Sequence, residues 1–143
     1  MFRFNKYHHA ARPAVAAIVG AIFASASASA ETAQSFPQSI SRTDLQRHDL
    51  SIAGHETIQS RVDFAPGAVA PKHKHPGEEI VYVLKGTLVY ELDGQPPVTL
   101  NVGDVLFIPA RTAHSVRNLA DGTSSELATY VVNKDEPLLI PAK

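Results

Sequence analysis

From Glu56 to Val132 the sequence is cut into short apolar-alternating runs by turn-forming residues, and no stretch of ten residues carries a helical period. Ile58, Val62 and Phe64 fall on one face of the first run and Thr57, Gln59, Arg61 and Asp63 on the other, the pattern of a half-buried strand. Ala65-Pro66-Gly67 breaks that run, and Pro76-Gly77 marks a second turn. Residues 80–84 then form a β-branched and aromatic run ended by Lys85-Gly86. Residues 87–92 and 98–102 flank Asp93-Gly94, a pair that tolerates positive φ, so a hairpin is expected there. Runs at 105–109, 114–118 and 126–132 complete the series. Short strands at even spacing predict an all-β fold, either a sandwich or a single small antiparallel β-barrel in which closure removes exposed edges.

The segments before and after this region read differently. Arg3, Lys6 and Arg12 precede an apolar run at 14–24 and a small-residue stretch ending in Ala28-Ser29-Ala30, the order found in a secretory signal peptide. The run is about half the ~20 residues a spanning helix needs, so cleavage after Ala30 and no stable membrane anchor are expected. The expected destination is the periplasm or the exterior. His8 and His9 belong to this leader. Residues 31–55 read as an N-terminal arm and first strand, polar and mobile or draped over 31–41 and extended at 43–50, with residues 56–132 as the barrel and residues 133–143 as a C-terminal tail. Within that tail Leu138-Leu139-Ile140-Pro141 is expected to pack on the barrel or on a partner subunit. At 143 residues and 44% hydrophobic the chain fits one domain.

Charge and composition narrow the chemistry. The leader holds three of the 13 bases and none of the 14 acids, so the remaining residues are mildly acidic, and no nucleic-acid partner is indicated. The chain has no cysteine, which excludes disulfides, thiolate nucleophiles and Cys-ligated metals. A metal ion must use imidazole and carboxylate. His73 and His75 stand at i and i+2, which in a strand puts both side chains on one face about 6.6 Å apart along the chain, while Lys72 and Lys74 point away. Pro76-Gly77 can turn the chain so that Glu79 returns to the same ion; Glu78 faces the other way and is not a ligand in this reading. His114 begins a strand downstream, and barrel closure brings it opposite. Three imidazoles and one carboxylate suit a divalent transition metal: iron, manganese, nickel, copper or zinc. Ser115 beside His114 does not make a hydrolase triad, because neighbours on a strand face opposite sides and no nucleophile elbow is present. Tyr82, Tyr90, Phe107 and Tyr130 read as core or interface packing.

The spacing Gly67-x5-His73-x-His75-x3-Glu79-x6-Gly86, followed after 16 residues by Gly103-x5-Pro109-x4-His114-x3-Asn118, resembles the two motifs of the cupin superfamily. The resemblance covers about Glu56–Val132. It implies a jelly-roll-like barrel, or double-stranded β-helix, with His73, His75, Glu79 and His114 as metal ligands in its mouth, and often a homodimer. Nine of ten fixed positions match; the exception is Arg111, where the second motif usually has Gly. A Gly there suits a tight turn with positive φ, and a side chain in that conformation costs of order 1 kcal/mol. Near the expected mouth, Arg111 is a candidate for forking onto a substrate carboxylate, against the plainer reading of a solvated turn arginine.

Similar barrels host many chemistries, so the resemblance gives a site and not a substrate. One reading is a metal-dependent, dioxygenase-like enzyme acting on a small organic molecule, with Glu79 as a possible acid–base group. Others are a cupin isomerase and an exported binding module that holds metal or a small ligand without turnover.

Overall fold

The computed structural model describes residues 37–143. The expected leader and its cleavage point lie outside the described residues, as does the arm before Pro37. Among the described residues the chain forms ten strands and no helix: β1 (Ile40–Asp49), β2 (His55–Phe64), β3 (Val69–Lys74), β4 (Glu78–Lys85), β5 (Thr87–Leu92), β6 (Val98–Asn101), β7 (Val105–Ile108), β8 (His114–Asn118), β9 (Ser124–Asn133) and β10 (Ile140–Pro141). They make two five-stranded sheets, ordered β1-β2-β9-β4-β7 and β10-β3-β8-β5-β6, with every pairing antiparallel. This is the all-β fold expected from the runs, in the jelly-roll form that the resemblance implies.

Alternation sets the inner faces. In β2 the residues Ile58, Ser60, Val62 and Phe64 are buried, and in β4 Glu79, Val81 and Val83 are buried while Ile80, Tyr82 and Leu84 are exposed. With Leu88, Tyr90, Leu100, Val116, Ala128, Tyr130 and Val132 they fill the space between the sheets. Each fully buried large apolar side chain contributes about 1.5–3 kcal/mol, so the core outweighs any single surface contact.

One boundary differs from the sequence reading. The first strand, expected at 43–50, runs over Ile40–Asp49 and pairs with β2 from Ile40↔Phe64 to Asp49↔Glu56, so it takes in the last two residues, Ile40 and Ser41, of the segment expected to be draped. Its register slips between Asp44 and Gln46, leaving Leu45 as a bulge, and such bulges discourage edge-to-edge pairing. The β5–β6 connection covers residues 93–97, as the expected runs at 87–92 and 98–102 require. Gly94 adopts φ 78°, but Pro96 and Pro97 follow, and cross-strand pairing resumes only at Tyr90↔Val98, since proline cannot donate to the ladder.

The ends of the two motifs meet inside the fold. Gly86 has φ 74°, and a Cβ built there would lie 2.1 Å from Ser124 Oγ, so no other residue fits. Ser124 Oγ donates to Asn118 Oδ1 at 2.7 Å, while Asn118 Nδ2 reaches the carbonyls of Phe64, Ala65 and Gly122 at 2.8–3.0 Å. The buried Asn118 thereby ties the β2–β3 turn, the β8–β9 turn and the start of β9 together.

Candidate metal centre

β3 and β8 pair with His73 directly opposite His114. His75 lies one residue beyond β3, and Pro76-Gly77 then swings the chain into β4, returning Glu79 to the same place. Gly77 allows this because it packs against β9 backbone; an added Cβ would lie 2.0 Å from Val131 O. All four side chains are buried. Glu79 Oε2 is 3.1 Å from His75 Nε2 and 3.3 Å from His114 Nε2. The three imidazoles offer ligand atoms that all lie within 4.8 Å of one another, close to twice the roughly 2.1 Å of a metal–imidazole bond. Glu78 sits on the opposite side of β4, half-buried.

The outward ring atoms fix the tautomers. Nδ1 of His73 donates to Pro71 O at 2.7 Å, that of His114 to Thr112 O at 3.0 Å and that of His75 to Leu138 O at 2.6 Å. A carbonyl only accepts, so each Nδ1 carries the proton and each Nε2 keeps its lone pair for the interior. Carbonyl partners of this kind orient metal-ligating histidines. His75 Nε2 and Glu79 Oε2 are buried and within reach of each other, yet neither makes an aligned hydrogen bond. Two buried polar atoms left in that condition are costly unless a further group satisfies them. A divalent cation does so, and the donor set of imidazole nitrogen and carboxylate oxygen fits one.

Electrostatics separates the four groups. Burial, reinforced by the His114 charge, lowers His73 to about 4 and keeps it neutral. Burial would lift Glu79, but His114 and His75 outweigh it and hold the carboxylate ionised well below its ordinary range. For His114 burial pulls down, and Glu79 more than compensates, so this imidazole is raised. The site is a fixed negative charge among lone pairs.

Deeper in the barrel lies a pair that the sequence reading missed. Tyr90 OH donates a short hydrogen bond to Glu126 Oε2, and both side chains are buried. Burial and the charge of Glu79 raise Glu126 to about 8, only partly opposed by Tyr90, so its carboxyl holds a proton at neutral pH. Burial also lifts Tyr90 and Tyr130 well above the ordinary phenol range. Tyr130 lies against His75, with ring centroids 4.8 Å apart. Glu126 keeps phase with Ala128, Tyr130 and Val132 on β9, so its inward direction was readable from the alternation.

Arg111 keeps the turn of the residue it replaces. It stands at φ 61° and its N–H donates to His75 O at 3.0 Å. Its guanidinium forks onto Glu136, with Nη2 at 2.7 and 2.9 Å from the two carboxylate oxygens. The C-terminal tail packs on this chain's own barrel: Ile140 and Pro141 pair with Lys74 and His73, and Leu138 lies against the core.

Comparisons with known proteins converge on the same region. The family model described as Cupin domain matches residues 60–132. Germin-like protein subfamily 2 member 1 of Arabidopsis thaliana is 35% identical over 92 residues, which cover 57% of this chain and 41% of that protein. The dimethylsulfoniopropionate lyase of Ruegeria pomeroyi is 35% identical over 63 residues, covering 43% and 31%. The oxalate-binding protein of Thermotoga maritima is 34% identical over 74 residues, covering 51% and 60%. The chain thus spans less than two thirds of each of these relatives. Among solved structures, oxalate oxidase in complex with glycolate superposes with a TM-score of 0.59 at 26% identity, covering 74% of this chain and 56% of that one. A cupin superfamily protein of Desulfitobacterium hafniense superposes at 0.56 with 21% identity, covering 70% and 84%, and supports the fold.

Proposed function

The chain belongs to the cupin family, and from that premise we propose that it is a metal-dependent, dioxygenase-like enzyme acting on a small organic molecule with paired oxygens. The observation that carries this reading is the convergence of His73, His75, Glu79 and His114, with the Nε2 lone pairs turned inward and two buried polar atoms unsatisfied. These four residues would hold the ion, leaving one or two positions of a five- or six-coordinate metal for the organic ligand. When bound, such an ion supplies Lewis acidity and, if redox-active, electron transfer. Around it the chain excludes water, holds Glu79 ionised and keeps a proton on Glu126. Iron, manganese, nickel, copper and zinc all fit this donor set.

Oxalate and glycolate are the first ligands to try, because oxalate is named for an oxidase and a binding protein among the relatives and glycolate occupies one of their structures. The test is metal content by inductively coupled plasma mass spectrometry on natively purified protein, followed by oxygen consumption with oxalate, glycolate and phenolic or diketone compounds. About one redox-active metal per chain with turnover supports the enzyme. Tight binding without product supports the second reading, a non-catalytic binding module, which the likeness to an oxalate-binding protein favours. Isomerised product without oxygen uptake would place the chain with the isomerases.

Two further elements belong to the proposal. Export rests on the leader grammar of residues 1–30, and the test is N-terminal sequencing of the mature protein, expected to start at Glu31. A homodimer is supported by the outer face of β4 and the edge strand β7, where Ile80↔Phe107 and Tyr82↔Val105 are cross-strand pairs and Leu84 extends the row. These five side chains are 40–60% exposed. They offer on the order of 500 Å² of apolar surface, a large part of the roughly 800 Å² per partner in a standard interface. This apolar row, with the half-buried Glu78 at one end, lies beside the open strand edge of β7 and can meet the same row of another copy about a two-fold axis, so the occupant assigned to it is a second copy of this chain.

A further inference from the structure

The three imidazoles are not held alike. His73 and His114 each donate Nδ1–H to the carbonyl two residues earlier in their own segment, Pro71 and Thr112. His75 instead donates to the carbonyl of Leu138, 63 residues away. Three contacts hold that distant segment in place. Ile140 and Pro141 pair with Lys74 and His73 along the open edge of β3, and Ala142 N–H donates to Lys72 O at 3.1 Å. The Arg111 guanidinium grips Glu136, while the Arg111 backbone donates to His75 O, so one residue touches both the strap and the ligand it serves. Leu138 packs on the core beneath.

We infer that residues 136–142 form a strap that positions His75 for metal, with the Leu138 carbonyl fixing its ring and Arg111–Glu136 acting as the latch, so that strap docking and metal binding favour each other. The inference rests on the metal-centre reading and adds a positioning element outside both motifs. When the strap is lifted, the His75 ring loses the carbonyl to which its Nδ1–H donates, and β3 becomes an open edge. Metal that needs His75 in this tautomer and rotamer therefore binds the docked state more tightly, and by reciprocity bound metal holds the strap down. The arginine at the usual glycine position acquires a role here, since its positive φ directs the backbone N–H at His75 O while its side chain reaches Glu136.

The test uses Co²⁺ as the probe, with its visible absorption and chelator competition as readouts. A chain ending at Asp135 is compared with the full chain after both are shown to keep the same circular dichroism. The strap predicts a 10- to 100-fold weaker Co²⁺ affinity on truncation and a changed absorption band, the range expected for loss of a ligand's outer partner. A tail that merely covers the core lowers the melting temperature of the metal-free protein and leaves the affinity unchanged, which overturns the inference. Should the truncated chain fail to fold, hydrogen exchange on the intact protein decides. Amides of Leu138, Leu139, Ile140 and Ala142 must slow on Co²⁺ saturation while those beside the Leu45 bulge do not, and unchanged exchange of the strap overturns the proposal. Arg111→Gly, which keeps the turn and removes the latch, is expected to weaken Co²⁺ binding by a few-fold. Full-length protein that binds no Co²⁺ overturns the metal centre itself, an outcome distinct from equal binding by both chains.

Discussion

The convergence of His73, His75 and Glu79 was legible in the sequence because i, i+2 spacing and a turn are local geometry, and His114 joined them only through the expected barrel closure and the resemblance of its motif; Leu138 was not legible, because a backbone carbonyl offers no residue-type signal. His114→Ala is expected to reduce bound metal from about one per chain to a trace amount while the barrel stays folded, read by mass spectrometry beside circular dichroism. Glu126 makes a separate prediction about pH. Its ordinary value of 4.5 rises to about 8 in the folded chain, so between these values the native state keeps a proton that the unfolded chain has released. Its contribution to stability is therefore complete below pH 4.5 and is lost as pH rises through 8. His114, also raised, acts in the same sense from its own ordinary value upward. His73 acts oppositely, its contribution lost as pH falls from 6.5 towards 4. Urea midpoints of the metal-free protein should decline from pH 7 to 8, and Glu126→Gln should flatten that decline while still accepting from Tyr90. An equally steep variant would refute the assignment of the proton to Glu126.

The strands themselves were the easiest part to anticipate, since period-two alternation and glycine punctuation act within a few residues. β5 and β8 fall at the expected boundaries, and β4 differs only at its ends. What the alternation could not show was pairing. The first strand reaches back to Ile40 because β2 offers it a partner as far as Phe64. Gly86 shows why a motif glycine can be irreplaceable for two reasons together, its φ of 74° and the 2.1 Å approach of Ser124. Gly86→Ala should cost about 2–4 kcal/mol by urea denaturation, as strain and steric overlap combine. Arg111→Gly, which relieves a side chain at φ 61° but removes the Glu136 ion pair, should stay within about 1 kcal/mol of the native chain.

The whole molecule presents two unlike faces of one sheet: an inner side carrying the site and an outer side ending in an apolar edge at β7. Phe107, 57% exposed, lies in that edge. Phe107→Lys is expected to convert a dimer into a monomer in size-exclusion chromatography with light scattering, with metal content unchanged; wild-type protein that runs as a monomer would refute the interface. Another consequence follows from the connectivity of the strap. Because His75 takes its acceptor from Leu138, the chain can pair β1 with β2 and close much of the barrel while the site remains unfinished. A polypeptide emerging in order from its N-terminus thus makes β1 to β9 before the Leu138 carbonyl can reach His75, and under the proposed metal-centre reading tight ion binding follows closure of the barrel. Assembly order is in this way written into which carbonyl faces which ring.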